Sequence, residues 1–300
     1  MHQYQLQKYT GIKSRYRCPQ CNHRNKTFKL YIDINTNQPI DSKVGKCDRI
    51  DKCGYHYTPK MWFAERGVSV WSHESVVKKQ IKKDSGLRAI DSRLFERSLQ
   101  AYNRNHLITY LSNALGPDAT QALIDKYQIG TANHWPGATV FWQIDISGNI
   151  KAGKVMLYDP STGKRVKHPF NHIAWAHSII KLPNFNLQQC LFGEHLLAGN
   201  MLPVGIVESE KTAMIASVYM PWYIWLATGG LANLSAKMFS ALHGRDVYLY
   251  PDVNAFDTWR VKAAALKRIA NITVSNLLEL AAGNEQRSEG FDLADYLLNR

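Results

Sequence analysis

Two sets of residues in this 300-residue chain are spaced for chemistry. The first is sulfur. Cys18-Pro19-Gln20-Cys21 is one tight pair, and Cys47 and Cys53 form a second with five residues between them. Two such knuckles can aim four thiolates at one tetrahedral zinc ion, and a site with four protein ligands is structural. His56 can replace Cys53 as the fourth ligand, with His23 a weaker substitute. Cys190, next to an apolar run, reads as a buried thiol. The second set is oxygen. Glu208 follows the apolar run Val204-Gly205-Ile206-Val207, and Asp252 follows Val247 to Tyr250. Open parallel sheets place ligand sites at the carboxyl ends of their strands, where two such acids can converge on a divalent metal.

The elements that must hold these acids read as strand, helix, strand, helix, strand, helix. A helix is expected from Thr212 to about Tyr219, and a strand from Trp222 to Ala227 ending in Thr228-Gly229-Gly230. After Pro251-Asp252-Val253-Asn254 a further helix is expected to about Ile269. The cysteines need a small β-ribbon: Thr27 to Asp33 alternates in character, Asn35 to Pro39 is a turn, and Val44 to Lys46 leads back to Cys47. So short a segment builds little core, so bound zinc would supply part of its folding energy. Met61 to Glu65 reads as a short helix against the ribbon. Residues 72–86, with Lys78, Lys79, Lys82 and Lys83, read as a linker or exposed helix. Helices follow between Asp91 and Tyr127, Gly116-Pro117 separating two of them. Ala138 to Ile146 and Ile150 to Tyr158 form a hairpin, and Asp159 to Gly163 is a second turn. The expected organisation is a zinc ribbon over 1–70, a linker over 71–90, a basic α+β segment over 91–200 and a parallel-sheet domain over 201–300.

Charge points to the partner. Lys and Arg number 37 against 24 Asp and Glu, a net charge of +13 with pI ≈ 9.5. Such an excess favours a polyanion, above all nucleic acid. Lys151, Lys154, Lys164, Arg165 and Lys167 decorate the hairpins and are expected to form a basic strip beside the acidic site, and Lys211 can meet phosphate. On the ribbon, Arg15, Arg17, Arg24 and Lys29 alternate with Tyr16, Phe28 and Tyr31, a mixture suited to single-stranded nucleic acid. No apolar run is long enough to span a bilayer, and Met1 to Leu6 lacks the apolar core of a signal peptide. A cytoplasmic protein without disulfides is expected. No Gly-x-x-x-x-Gly-Lys-Ser/Thr loop is present, which excludes a P-loop motor.

The order of parts resembles the bacterial and phage DNA primase family, in particular the short primase-like proteins of mobile genetic elements. The residues that carry the resemblance are the zinc ribbon, Ile206-Val207-Glu208-Ser209-Glu210-Lys211-Thr212-Ala213, Thr228-Gly229-Gly230 and Tyr250-Pro251-Asp252-Val253-Asn254. It covers roughly Arg17 to Tyr57 and Tyr127 to Leu298 and implies that 201–300 is a Toprim domain, a Rossmann-like parallel sheet. Within it, Glu208 is the first-strand glutamate and Asp252 the first acid of an Asp-x-Asp pair, both holding magnesium or manganese. The second acid is replaced by Asn254, which can ligate through its carbonyl oxygen but brings no charge; Asp257, one helical turn on, can compensate. Asp292, in Gly290-Phe291-Asp292-Leu293-Ala294-Asp295, matches the family's final acidic motif with one extra residue of spacing, so one of its two acids is expected to face the metals. The implied activity is synthesis of short RNA primers from nucleoside triphosphates on single-stranded DNA, beside a separate replicative helicase. The alternatives are a DNA-binding replication or mobilisation factor with a decayed Toprim site, and a Toprim nuclease.

Overall fold

The computed structural model describes residues 3–11, 14–49, 53–66, 89–230 and 233–299. The lysine-rich stretch 72–86 lies outside them. The chain divides into two compact units, Met1–Lys83 and Asp84–Arg300.

The first unit is an antiparallel ribbon of four strands in sequential order: β1 (Tyr4–Leu6), β2 (Phe28–Asp33), β3 (Gly45–Cys47) and β4 (His56–Tyr57). Its core is small, consisting of Phe28, Leu30 and the cysteines with Tyr55. Helix α1 (Pro59–Glu65) follows, with Thr58 capping Met61 N and Pro59 in the first turn.

The second unit opens with α2 (Ser92–Glu96), α3 (His106–Leu115) and α4 (Pro117–Tyr127). Asn105 caps α3, and Gly116, at φ 86°, turns the chain before Pro117. A four-stranded antiparallel sheet comes next: β5 (Gly130–Ala132), β6 (Ala138–Ile144), β7 (Ile150–Met156) and β8 (Ile173–Trp175), followed by α5 (Ala176–Ile179).

The remaining elements build the parallel sheet: β9 (Val204–Val207), α6 (Glu210–Tyr219), β10 (Ile224–Ala227), β11 (Asp246–Leu249), α7 (Phe256–Leu266), β12 (Asn271–Val274), α8 (Leu277–Ala281), α9 (Asn284–Glu289) and α10 (Leu293–Leu298). Strand order is β10-β9-β11-β12, all parallel. β9 is central and buried along its whole length, as an apolar strand covered on both faces must be. Gly205 is required there, because a Cβ would lie 2.7 Å from the Trp225 ring on β10. The fold is therefore α/β: a cysteine ribbon, an antiparallel mixed segment and a Rossmann-like parallel sheet.

One apolar core runs through both sheets of the second unit. Tyr127 from α4, Phe141 from β6, Phe192, Met214 from α6 and Trp225 from β10 all belong to it. The Tyr127 hydroxyl donates to the Trp225 carbonyl at 3.1 Å.

Candidate zinc site and acidic site

In the ribbon the sulfurs of Cys18, Cys21, Cys47 and Cys53 all lie within 4.8 Å of one another. Cys18 and Cys53 Sγ are 3.7 Å apart, against about 3.8 Å for the edge of a tetrahedron with 2.3 Å zinc–sulfur bonds. Arg49 Nη1 stands 3.7 Å from Cys21 Sγ and Thr27 Oγ1 3.6 Å from Cys47 Sγ, donors that suit thiolates. The donor set fits structural zinc. The histidine substitutes are engaged elsewhere. His56 stacks on Tyr31 with its Nε2 2.9 Å from the Tyr31 hydroxyl, and His23 Nδ1 accepts from Asn25 N. Two of the ribbon's cations are also spent, Lys29 and Arg15 both pairing with Asp48.

The acidic site lies at the carboxyl end of the parallel sheet. β9 ends one residue before Glu208, whose carbonyl accepts from Gly229 N at 2.9 Å. Ser209 then caps α6 through Thr212 N. On neighbouring β11, Tyr250 N still bonds to Ile206 O, so the chain leaves the sheet at Pro251-Asp252. The third element is the start of α10. Asp292 caps it and Asp295 returns the bond: Asp295 N donates to Asp292 Oδ1 at 3.0 Å, and Asp292 N donates to Asp295 Oδ2 at 3.1 Å. Thr212 Oγ1, on α6, donates to Asp292 Oδ2 at 2.8 Å and ties the α10 cap to the helix that follows Glu208.

Electrostatics show which acids share a field. Burial pushes the Asp252 carboxyl up to about 8, reinforced by the negative charges of Asp292, Glu208 and Asp295; Arg165 alone opposes them. Asp295 is also raised, by burial and Asp292, with Lys211 and Lys164 pulling the other way. Asp252 thus feels three other carboxylates, and Arg165, Lys164 and Lys211 act on one or other of the acids. Both acids of the Asp292-Leu-Ala-Asp295 motif act on Asp252. Among the described residues the four cysteines are the only set of three or more Cys, His, Asp or Glu ligands that closes within 4.8 Å.

Two expected ligands stand apart. Asn254 has φ 66°, a left-handed turn that asparagine tolerates better than most residues. Its Nδ2 donates to Arg287 O and its backbone N to Glu279 Oε1, so the side chain serves the loop onto α9. Asp257 is exposed in the first turn of α7 and pairs with Arg260 at 3.1 Å.

The six cations expected at phosphate also separate. Lys164 and Arg165 are exposed beside the acids. Lys211 reaches the same field, and its Nζ donates to Gly163 O at 3.3 Å. Lys167 is exposed farther along that loop. Lys151 instead faces Asp145 and Glu194. Lys154 is buried. Its Nζ donates to Glu210 Oε1 and Oε2 at 3.0 and 3.2 Å and to Gly229 O at 2.9 Å. The basic strip fails at β7 because side chains alternate with period two, which puts residues 151 and 154 on opposite faces. Gly229, at φ 71°, completes this contact: a Cβ there would lie 3.0 Å from Glu210 Oε1. Sequence reasoning missed the Lys154–Glu210 pair, which carries no local signal. Asp295 stood in the sequence only as the second acid of the Asp292 motif; its place as the reciprocal cap of α10 comes from the structure.

Two family models match the chain. A zinc beta-ribbon finger covers residues 2–68, and a domain of unknown function, DUF6371, covers residues 105–253. No curated protein matches. Among solved structures, the primase fragment of the bacteriophage T7 primase-helicase protein is 12% identical, over 95% of this chain and 99% of that one, with a TM-score of 0.40. The RNA polymerase domain of Mycobacterium tuberculosis primase DnaG is 12% identical over 70% and 81%, also at 0.40. The E. coli primase catalytic core is 13% identical over 69% and 81%, again at 0.40.

Proposed function

We propose that this chain is a primase-like nucleotidyltransferase of the zinc-ribbon, Toprim type, making short RNA primers on single-stranded DNA for a plasmid, phage or other mobile element. The observation that supports the reading is that Glu208 and Asp252 stand just beyond the carboxyl ends of the adjacent parallel strands β9 and β11, with Asp292 tied through Thr212 to the helix that follows Glu208. Glu208 and Asp252 are the first choice for holding magnesium or manganese, with Asp292 and Asp295 next; Asn254 and Asp257 have other partners. When bound, such ions neutralise triphosphate charge and lower the pKa of an attacking 3′-hydroxyl. The chain's own part is positioning. The α10 cap and Thr212 fix Asp292, β9 and β11 fix Glu208 and Asp252, and the cationic rim orients phosphates from outside the acids. Nucleoside triphosphates and a template strand are the substrates, and a separate helicase would supply unwound DNA.

A second reading rests on Asn254. With a neutral residue turned to Arg287 at the Asp-x-Asp position, the chain can be a DNA-binding replication factor that no longer polymerises. Primer synthesis on mixed single-stranded templates, with labelled nucleotides and magnesium or manganese, separates the two. Wild type should make short products, and Glu208→Gln and Asp252→Asn should lose them at least a hundredfold. Intact DNA binding without product in all three selects the DNA-binding factor, and template cleavage selects a Toprim nuclease.

A further inference from the structure

We infer that the loop beyond Arg165 carries an aromatic platform on which bases of the single-stranded template stack; this rests on the nucleic-acid reading above and names where the bases lie. The platform is built from His134, Trp135, Phe170 and His172. Phe170 stacks on His172 with ring centroids 4.3 Å apart and planes at 21°. His172 meets Trp135 edge to face at 5.1 Å, and His134 lies 4.4 Å from Trp135. The four rings come from two loops, β5–β6 and β7–β8, that meet on the antiparallel sheet.

The rings are held in place but not covered. Trp135 packs on the apolar cluster of Val140, Trp142 and Val155. The His172 backbone N–H bonds to Val166 O at 3.2 Å, and its Nδ1 stands 3.3 Å from the same carbonyl. Phe170 is nevertheless 54% exposed, and His134 is exposed. A rigid ring offered to solvent loses little entropy when it stacks on a ligand. An apolar protein partner would not explain the charge around it. Arg165, Lys167 and His168 are exposed in the same loop, and Arg165 acts on Asp252. Val166, which fixes His172, directly follows Arg165. The β7–β8 loop thus carries cations for phosphates beside flat rings for bases, the combination that binds single strands with little sequence preference.

The test uses the full zinc-loaded chain and fluorescence anisotropy with two labelled strands of equal length, oligo-dT and an abasic phosphodiester. Wild type should prefer oligo-dT. Phe170→Ala should weaken oligo-dT binding about tenfold and leave the abasic strand unchanged, the expected size of one lost stack. Phe170→Trp should restore affinity, and Phe170→Leu should not. The platform is overturned if Phe170→Ala binds oligo-dT like wild type, if both strands weaken equally, or if leucine restores binding as well as tryptophan does. Because no catalysis is read, absence of primer synthesis would count against the proposed function while leaving this result to stand or fall alone.

Discussion

Replacing Lys154 with Met removes the only cation that meets the Glu210 carboxylate among the described ion pairs, and does so inside the fold. The two side chains are 9% and 2% exposed. Lys154 Nζ makes three short contacts there, two to Glu210 and one to Gly229 O. Breaking a buried pair from one side leaves an uncompensated charge and costs about 3–5 kcal/mol. In this unit that corresponds to a melting shift of about 10 °C, at about 2–4 °C per kcal/mol. Lys154→Met/Glu210→Met removes both charges and leaves mainly the Gly229 carbonyl short of a donor, a cost of about 1–3 kcal/mol. The double variant should therefore be more stable than Lys154→Met alone. Urea unfolding followed by tryptophan fluorescence gives all four corners of the cycle. A loss below about 1 kcal/mol in Lys154→Met, or two single losses that simply add, would show that the pair is not coupled as drawn. Under conditions where it is folded, Lys154→Met should bind DNA like wild type, because its ammonium never faced a phosphate.

Cys18→Ser with Cys21→Ser should lose one zinc per chain by native mass spectrometry, while His56→Ala keeps it; metal retained in the cysteine variant would exclude this site. Arg165→Ala should lower the slope of log affinity against log salt by about 1, with Lys151→Ala unchanged, and equal slopes would remove Arg165 from the phosphate track. Asp252 sets a pH dependence. Its folded pKa of about 8 lies above the unfolded 3.8, so its contribution to stability is full below about 4 and is lost as pH rises toward 8. Without divalent metal, the urea midpoint of wild type should fall between pH 5 and 8 more steeply than that of Asp252→Asn, and magnesium should restore more at pH 8 than at pH 5. Parallel pH profiles would mean that Asp252 is not held among like charges.

Strong local patterns were legible, and weak or non-local ones were not. Val204-Gly205-Ile206-Val207 reads as a buried strand because both of its faces are apolar, and the residue after it is then fixed at a strand end. Asn271-Ile-Thr-Val, the fourth parallel strand, escaped notice because it is a half-exposed edge with little apolar content. The outer strands β1, β5 and β8 have three residues each, too few for a period to show. The four cysteines could be read from spacing, but the choice of Cys53 over His56 needed the Tyr31 ring that holds the histidine. Lys154 and Glu210 lie 56 positions apart, and nothing local tells a lysine that crosses between sheets from one that faces solvent.

Two carboxyls in the same unit are raised by burial in different settings. Glu194 is also raised by burial, yet its oxygens accept from Leu191 N and Ile146 N, both at 3.3 Å, and it fastens a loop to the β6–β7 turn. Its environment is explained by what it holds. Asp252 is raised by burial and by the negative charges of three further acids. Some of that cost is offset locally, where Asp292 and Asp295 satisfy each other's backbone N–H groups at the start of α10. Nothing in helix capping requires Glu208 and Asp252 to stand in the same field. A bound divalent cation would add attraction that offsets the repulsion Asp252 meets from its neighbours, so the charge arrangement that is costly without metal is one that would favour holding it.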